Sequence, residues 1–288
     1  MKQKIRTSYN EKIFEKLKID CEKCFGICCV ALYFSKTEGF PNDKVAGKPC
    51  INLQEDFGCK VHASLKDKGL KGCMTYDCFG AGQKVAQLTF KGEDWRKSKE
   101  QANKIFDVFL VMRQLHEMLW YLYDAKTFIC SDNIKEEIDF MIKETNKLTN
   151  LDTKSIINID IENHRIKVNS TLKKVIEVVK NNVSHDKKIN SKNKKNLKIG
   201  YDFIGADLKN TNLIGANFAG VFLIAADMRN TNLKGANLIG ADLRDADIRG
   251  ANLEEAMFIT QTQINSAKGD SKTKLPNSID RPEYWEKG

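Results

Sequence analysis

A chain of 288 residues, 41% hydrophobic and 30% charged, has room for two or three domains and enough apolar material for a core. No apolar run approaches the roughly 18 residues a membrane-spanning helix needs; the opening MKQKIRTSYNEKIFEKLKID lacks the apolar stretch of a signal peptide, so a cytoplasmic location without a membrane partner is expected. The net charge of +9 is unevenly held: residues 199–265 carry five Lys/Arg against eight Asp/Glu, a net of −3, the tail from Ser266 is +1, and residues 1–198 hold +11.

Residues 1–20 read as a short basic amphipathic helix, with Ile13, Phe14 and Leu17 at helical spacing. Residues 21–93 form a cysteine-rich module that holds eight of the nine cysteines: Cys21, Cys24, Cys28, Cys29, Cys50, Cys59, Cys73 and Cys78, with Cys130 apart. The runs Cys29–Phe34 and Val85–Phe90 read as short strands. Without an export signal, such a density of thiols points to metal rather than disulfides. The opening CxxC is a half-site of a structural zinc knuckle, and four thiolates also hold iron–sulfur clusters. Zinc is the expected ion, with iron or an iron–sulfur cluster as the alternative. The eight thiols allow two four-ligand sites, or one site with thiols to spare. Adjacent Cys28 and Cys29 point in different directions and can serve different ions. His62, three residues after Cys59, reads as a surface histidine, and Gly80 and Gly82 complete no phosphate loop.

Residues 94–182 are helical. Asp94 is the expected N-cap of a helix to about Asp124, along which Ile105, Val108, Met112, Leu115, Leu119 and Leu122 recur at three- and four-residue steps. His116, beside that stripe, reads as a satisfied structural histidine. Ile134, Ile138, Met141 and Ile142 mark a second helix, and Ser170 caps a third through Val179. Residues 183–198, with six Lys and one Asp from Val183 to Lys198, form a basic linker.

From Tyr201 the chain divides into twelve five-residue blocks, from YDFIG to AMFIT, each centred on Phe, Leu, Met or Ile. A small residue stands two places before the centre in all but Tyr201 and Val221. This fixed period marks a repeat that turns a corner every five residues with both positions inward. A twenty-residue superperiod stacks Asp207, Asp227 and Asp247 beside Lys209, Arg229 and Arg249, then Asn212, Asn232 and Asn252. Two adjoining faces carry outward apolar residues: Ile204, Phe222 and Ile224 on one, Ile239, Met257 and Ile259 on the other. This edge is the expected interaction face, for the chain's own helices, a protein partner or a second copy.

The blocks resemble the pentapeptide-repeat family, which implies a right-handed quadrilateral β-helix of about three coils over residues 199–265, closed by a cap or tail at 266–288. Some members of that family mimic DNA and protect DNA gyrase. Three coils rise roughly 14 Å, and duplex of that length carries about eight charges, against −3 here, so nucleic-acid mimicry and nucleic-acid partners are not expected. The segments CEKCFGICC, KPCINL, CKVH and CMTYDC resemble the CxxCxxxCC family of zinc- or iron-chelating proteins, which implies metal binding and no single activity. The sequence thus predicts a multidomain α+β fold joining a metal-binding module, a helical segment and a β-helix. Its predicted function is that of a non-catalytic metal-binding interaction or scaffold protein, with an iron–sulfur or metal-dependent redox or sensor enzyme as the alternative.

Overall fold

In the computed structural model the described residues are 5–7, 11–185 and 202–285. They fall into two compact units. Most of the basic linker, and Tyr201, lie outside the described residues.

The thiol unit comprises Lys12–Tyr123 and Asp139–Asn169. The N-terminal helix is a single turn, α1 (Glu11–Glu15), whose Phe14 is buried edge-on to Trp120 at 5.0 Å. Short elements follow: α2 (Ile27–Ala31), α3 (Lys71–Thr75) and α4 (Ala81–Gln83), which runs into a π-helical stretch at Lys84–Thr89. The two expected strands therefore fall largely in helical turns, because a short apolar run bears no period that separates strand from buried helix. Helix α5 (Lys99–Lys126) starts later than expected. Asp94 turns its carboxylate to the N–H of Arg96 at 2.7 Å, and Ser98 caps Gln101 N at 3.1 Å. The stripe Ile105, Val108, Phe109, Met112, Leu115 and Leu122 is buried as its spacing requires. Helix α6 (Asp132–Leu148), α7 (Thr153–Ile157) and α8 (Ile161–His185) complete the helical segment. Asp160 caps α8 through Asn163 N at 3.1 Å, ten residues ahead of Ser170.

The coil unit comprises Met1–Glu11, Asp124–Ile138 and Ser170–Gly288. Each block closes a turn: Ala206 N bonds Phe203 O, and Ala246 N bonds Leu243 O, both at 3.0 Å. The fifth residue of ten blocks is left-handed, from Gly205 at φ 64° to Gly250 at φ 67°. That is why glycine takes this place six times and asparagine twice. In ten blocks the second residue, Asp or Asn, accepts the N–H two places on, as Asp207 Oδ1 does from Lys209 at 3.1 Å. Parallel bridges join residues twenty apart in four columns: Asp202–Phe222–Asp242, Asp207–Asp227–Asp247, Asn212–Asn232–Asn252 and Asn217–Asn237–Met257. The central residues are buried from Leu208 through Phe258, and Phe203 is half-buried.

This geometry corrects the expected α+β fold with its right-handed quadrilateral β-helix. Among the described residues there is no β-strand; every bridge is isolated. A left-handed residue at almost every fifth place turns the chain before a second consecutive pair can form. Each wall of the coil therefore carries one bridge per pair of rungs and no ladder.

The coil's surroundings within its unit are specific. Val179 and Val183 of α8 press on Gly235, where a Cβ would lie 3.2 and 2.9 Å from them. The Arg6 guanidinium pairs with Asp124 at 2.7 Å, reaches Ala256 O and covers the Phe128 ring. Asp124 Oδ2 in turn accepts Phe258 N at 2.8 Å. Past the last block, α9 (Gln261–Ser266) is held by a capping box at Thr260, and Lys268 and Lys274 bridge to Asp247 and Asn252. Buried Trp285 lies against Gly269, where a Cβ would meet its ring at 2.4 Å.

Candidate metal centre

The thiols are placed by two matching turns. Cys24–Phe25–Gly26 and Cys78–Phe79–Gly80 share the tripeptide Cys-Phe-Gly, and in both the phenylalanine and glycine are left-handed: φ 53° and 61° in the first, 52° and 74° in the second. Each turn bends the following amides back onto the sulfur. Cys24 accepts from the N–H groups of Gly26 and Ile27, and Cys78 from those of Gly82 and Gly80. A left-handed phenylalanine costs about 1–2 kcal/mol and persists only where its surroundings fix it. Here a ring N–H holds each one: Trp95 Nε1 donates to Phe25 O at 2.8 Å, and His116 Nδ1 donates to Phe79 O at 2.7 Å. Asp77 Oδ1 adds a bond from Phe79 N at 2.6 Å. Burial pushes the Asp77 carboxyl up to about 6 and the His116 imidazole down to about 4, so the ring is neutral when it donates.

The two turns meet over Gly82. A Cβ there would lie 3.0 Å from Cys24 Cβ and 3.7 Å from the sulfurs of both Cys24 and Cys78. The signal for these features was in the sequence, as a tripeptide occurring twice, and the composition-level reading of the cysteines missed it.

The remaining thiols follow. Cys28 and Cys29 are neighbours on α2, so their side chains leave it roughly 100° apart. Cys50 N donates to Cys29 O at 3.0 Å, and Cys50 Sγ accepts Asn52 N at 3.5 Å. Leu53 bridges back to Cys59, whose sulfur accepts the N–H of Val61. Cys73 lies on α3. His62 is exposed, and Cys130 belongs to the coil unit.

The thiols perturb one another. Cys21 donates to Cys24, which brings Cys24 down to about 7 and raises Cys21. Cys28 donates to Cys29 with the same opposed effect. Burial pushes Cys73 up to about 12 and Cys78 up to about 11, and raises Cys59. Lys44 is buried among them: its Nζ donates to Val30 O at 2.6 Å and to Leu32 O, and burial lowers it against the pull of Cys29 and Cys50. Seven buried or half-buried thiols and the exposed Cys21 cannot all ionise beside one another unaided; a divalent cation would remove that penalty. Among the described residues no three His, Cys, Asp or Glu side chains converge on one point as ligands of a single ion. The donor set is nonetheless of the soft type that zinc and iron take. It offers soft thiolates, N–H groups already turned to four of them, and a side-chain-free cradle at Gly82.

On the coil, Ile204 and Phe222 of the expected interaction face are exposed, at 56% and 48%, and Ile224 and Ile239 are half-buried. Met257 and Ile259 are buried and offer no outward surface, because the last block is anchored through Phe258 on Asp124 and Phe128.

Pentapeptide repeats match the chain in eight copies, over residues 202–235 and 226–259. An uncharacterized protein of Bacillus subtilis (strain 168), YybG, is 48% identical over 276 residues, spanning 96% of this chain and 97% of that protein. The chain belongs to the same family as YybG. At that coverage the shared span takes in residues of both the cysteine segment and the coil of this chain. Among the described residues no helix is long and apolar enough to cross a membrane.

Proposed function

We propose that this pentapeptide-repeat protein is a non-catalytic metal-binding interaction protein of the cytosol, its cysteines holding zinc and its coil presenting a surface to a protein partner or a second copy. One observation carries the metal reading. Two strained Cys-Phe-Gly turns, each clamped by a ring N–H, aim backbone amides at buried sulfurs. Amide donors stabilise a thiolate and do little for a neutral thiol, so strain kept at these two places supports ligand sulfurs. The coil reading rests on the repeats and on exposed Ile204 and Phe222.

The test is to purify the full chain without oxygen, measure its metals and record its visible spectrum. Zinc without visible absorbance is expected. Iron with sulfide and a brown colour would transfer the reading to a redox or sensing protein. Absence of both metals, with all thiols free or paired, would sink it.

A further inference from the structure

Two of the thiols stand at the spacing of a disulfide. Cys21–Lys23 form a single 3-10 turn, and Cys24 ends it with its N–H on Cys21 O at 3.4 Å. Residues three apart in such a turn eclipse one another, at a rise of about 2.0 Å per residue, so the Cα atoms of Cys21 and Cys24 lie about 6 Å apart with both side chains on one side. A disulfide spans roughly 4.4–6.8 Å between Cα atoms. The Cys21 thiol already donates to the Cys24 sulfur. Other neighbouring pairs each lack a requirement. Cys28 and Cys29 are consecutive on α2, their Cα atoms about 3.8 Å apart, too near for an unstrained bridge. Cys24 and Cys78 approach one another over Gly82, but both are buried. Among the cysteines Cys21 alone is exposed, and so open to a reagent in solution.

We infer that Cys21 and Cys24 form a reversible disulfide, the exposed Cys21 sulfur exchanging with small-molecule disulfides of the oxidised-glutathione type. The inference stands beside the metal reading and does not rest on it. In the oxidising direction the Cys21 thiolate, its proton lost to solvent, attacks one sulfur of the small disulfide. That S–S bond breaks, one thiolate leaves, and a mixed disulfide forms on Cys21. Cys24, its own proton lost to solvent, then attacks the Cys21 sulfur, closes the protein disulfide and expels the second thiolate. Two cysteines give up two electrons, and one small disulfide becomes two thiols. In the reducing direction a small thiolate attacks the accessible Cys21 sulfur, and Cys24 leaves as a thiolate stabilised by the N–H groups of Gly26 and Ile27. The left-handed turn at Phe25 and Gly26, which aims those amides, thereby serves the leaving group.

The test uses the full chain, reduced, kept without oxygen, mixed with oxidised glutathione, quenched in acid, alkylated and digested with trypsin. Cleavage after Lys23 separates the two cysteines, so their disulfide shows as residues 19–23 crosslinked to residues 24–36. The wild type should lose two hydrogens, give this crosslink with fragmentation placing it on Cys24, and return to thiols in excess reduced glutathione. Cys24→Ser should stop with glutathione held on Cys21. Cys21→Ser, at an exposed position that spares the fold, should abolish the crosslink. Glutathione that persists on wild-type Cys21, a crosslink that survives in Cys24→Ser, or free thiols at both positions while other cysteines oxidise would each overturn the inference. Zinc measured in the same samples keeps the two readings apart. A metal-free chain that forms the crosslink upholds the disulfide and sinks the metal reading, and a zinc-loaded chain that never forms it does the reverse.

Discussion

Asp and Asn at the second place of a block are there for one bond, the N–H two residues on, and glycine at the fifth place is there for one backbone angle. The sequence showed which residues point inward, because burial imposes a period. It did not show what the polar places do, since a turn bond leaves no period of its own beyond that of the repeat. Glycines alike in sequence also differ in surroundings. Gly205 and Gly235 have φ of 64° and 63°, yet a Cβ at Gly205 meets nothing within 4 Å and one at Gly235 strikes Val183 and Val179. Gly205→Ala should cost about 1 kcal/mol, the backbone term alone. Gly235→Ala should cost about 2–4 kcal/mol, because crowding adds to it. Equal losses in denaturant titrations of the two variants would contradict this account.

His116 is likewise legible as structural and illegible in purpose: its neutral ring holds the carbonyl of a strained phenylalanine. Burial lowers it from 6.5 to about 4. A base whose folded value is depressed contributes stability that is present above its unfolded value and lost as pH falls towards the folded one. The window therefore runs from pH 6.5 down to about 4, with roughly 3 kcal/mol at stake. The unfolding midpoint of the wild type should fall through this window more steeply than that of His116→Gln. Parallel pH profiles would show that the ring is not buried neutral.

At the scale of elements, long helices were legible and their starts were not. The stripe of α5 follows from its apolar spacing, but Asp94 and Ser98 are both competent caps, and the chain between them turns first on Asp94. The short runs at Cys29–Phe34 and Val85–Phe90 were misread because six apolar residues fit a strand or a buried helical turn equally. The coil was read correctly in its twenty-residue stacking and wrongly as sheet, since a corner in every block leaves no room for a strand. Its far end depends on one side chain. Gln263 Nε2 donates to Leu238 O and Ala241 O, both at 2.8 Å, and the residue is buried. Gln263→Met keeps the volume, strands the Ala241 carbonyl and the Thr260 N–H, and leaves Leu238 O only its bond from Ala241 N. Thermal unfolding should show a loss of about 2–3 kcal/mol; an unshifted transition would mean that water replaces the amide.

For the whole molecule, the density of cysteines led to the expectation of a metal, but which thiols lie near one another depends on loops that bring Cys78 back over Cys24 and Cys50 under Cys29, and such closures have no local signature. The thiol unit has only short elements ahead of α5, and an ion bound by thiolates contributes of order 10 kcal/mol to a small domain. Chelation should therefore strip hydrogen-exchange protection from amides between Cys21 and Phe90 and leave the rungs of the coil protected. Uniform protection before and after chelation would show that the thiol unit holds itself together by packing alone.

Within each block, four places have duties: a small inward residue, a turn-bonding carboxylate or amide, a buried centre and a left-handed corner. The fourth place varies most: Ile204, Lys209 and Glu254 stand exposed there, Arg229, Arg244 and Arg249 pair with the aspartate of their own block, Lys234 pairs with Glu255, and Ile259 is buried. Selection can therefore rewrite the exposed ones among these positions without disturbing the turns of the coil. Among descendants of a common ancestor, recognition would drift quickly on this surface, while the thiols, tied to one another and to their clamps, would hardly change.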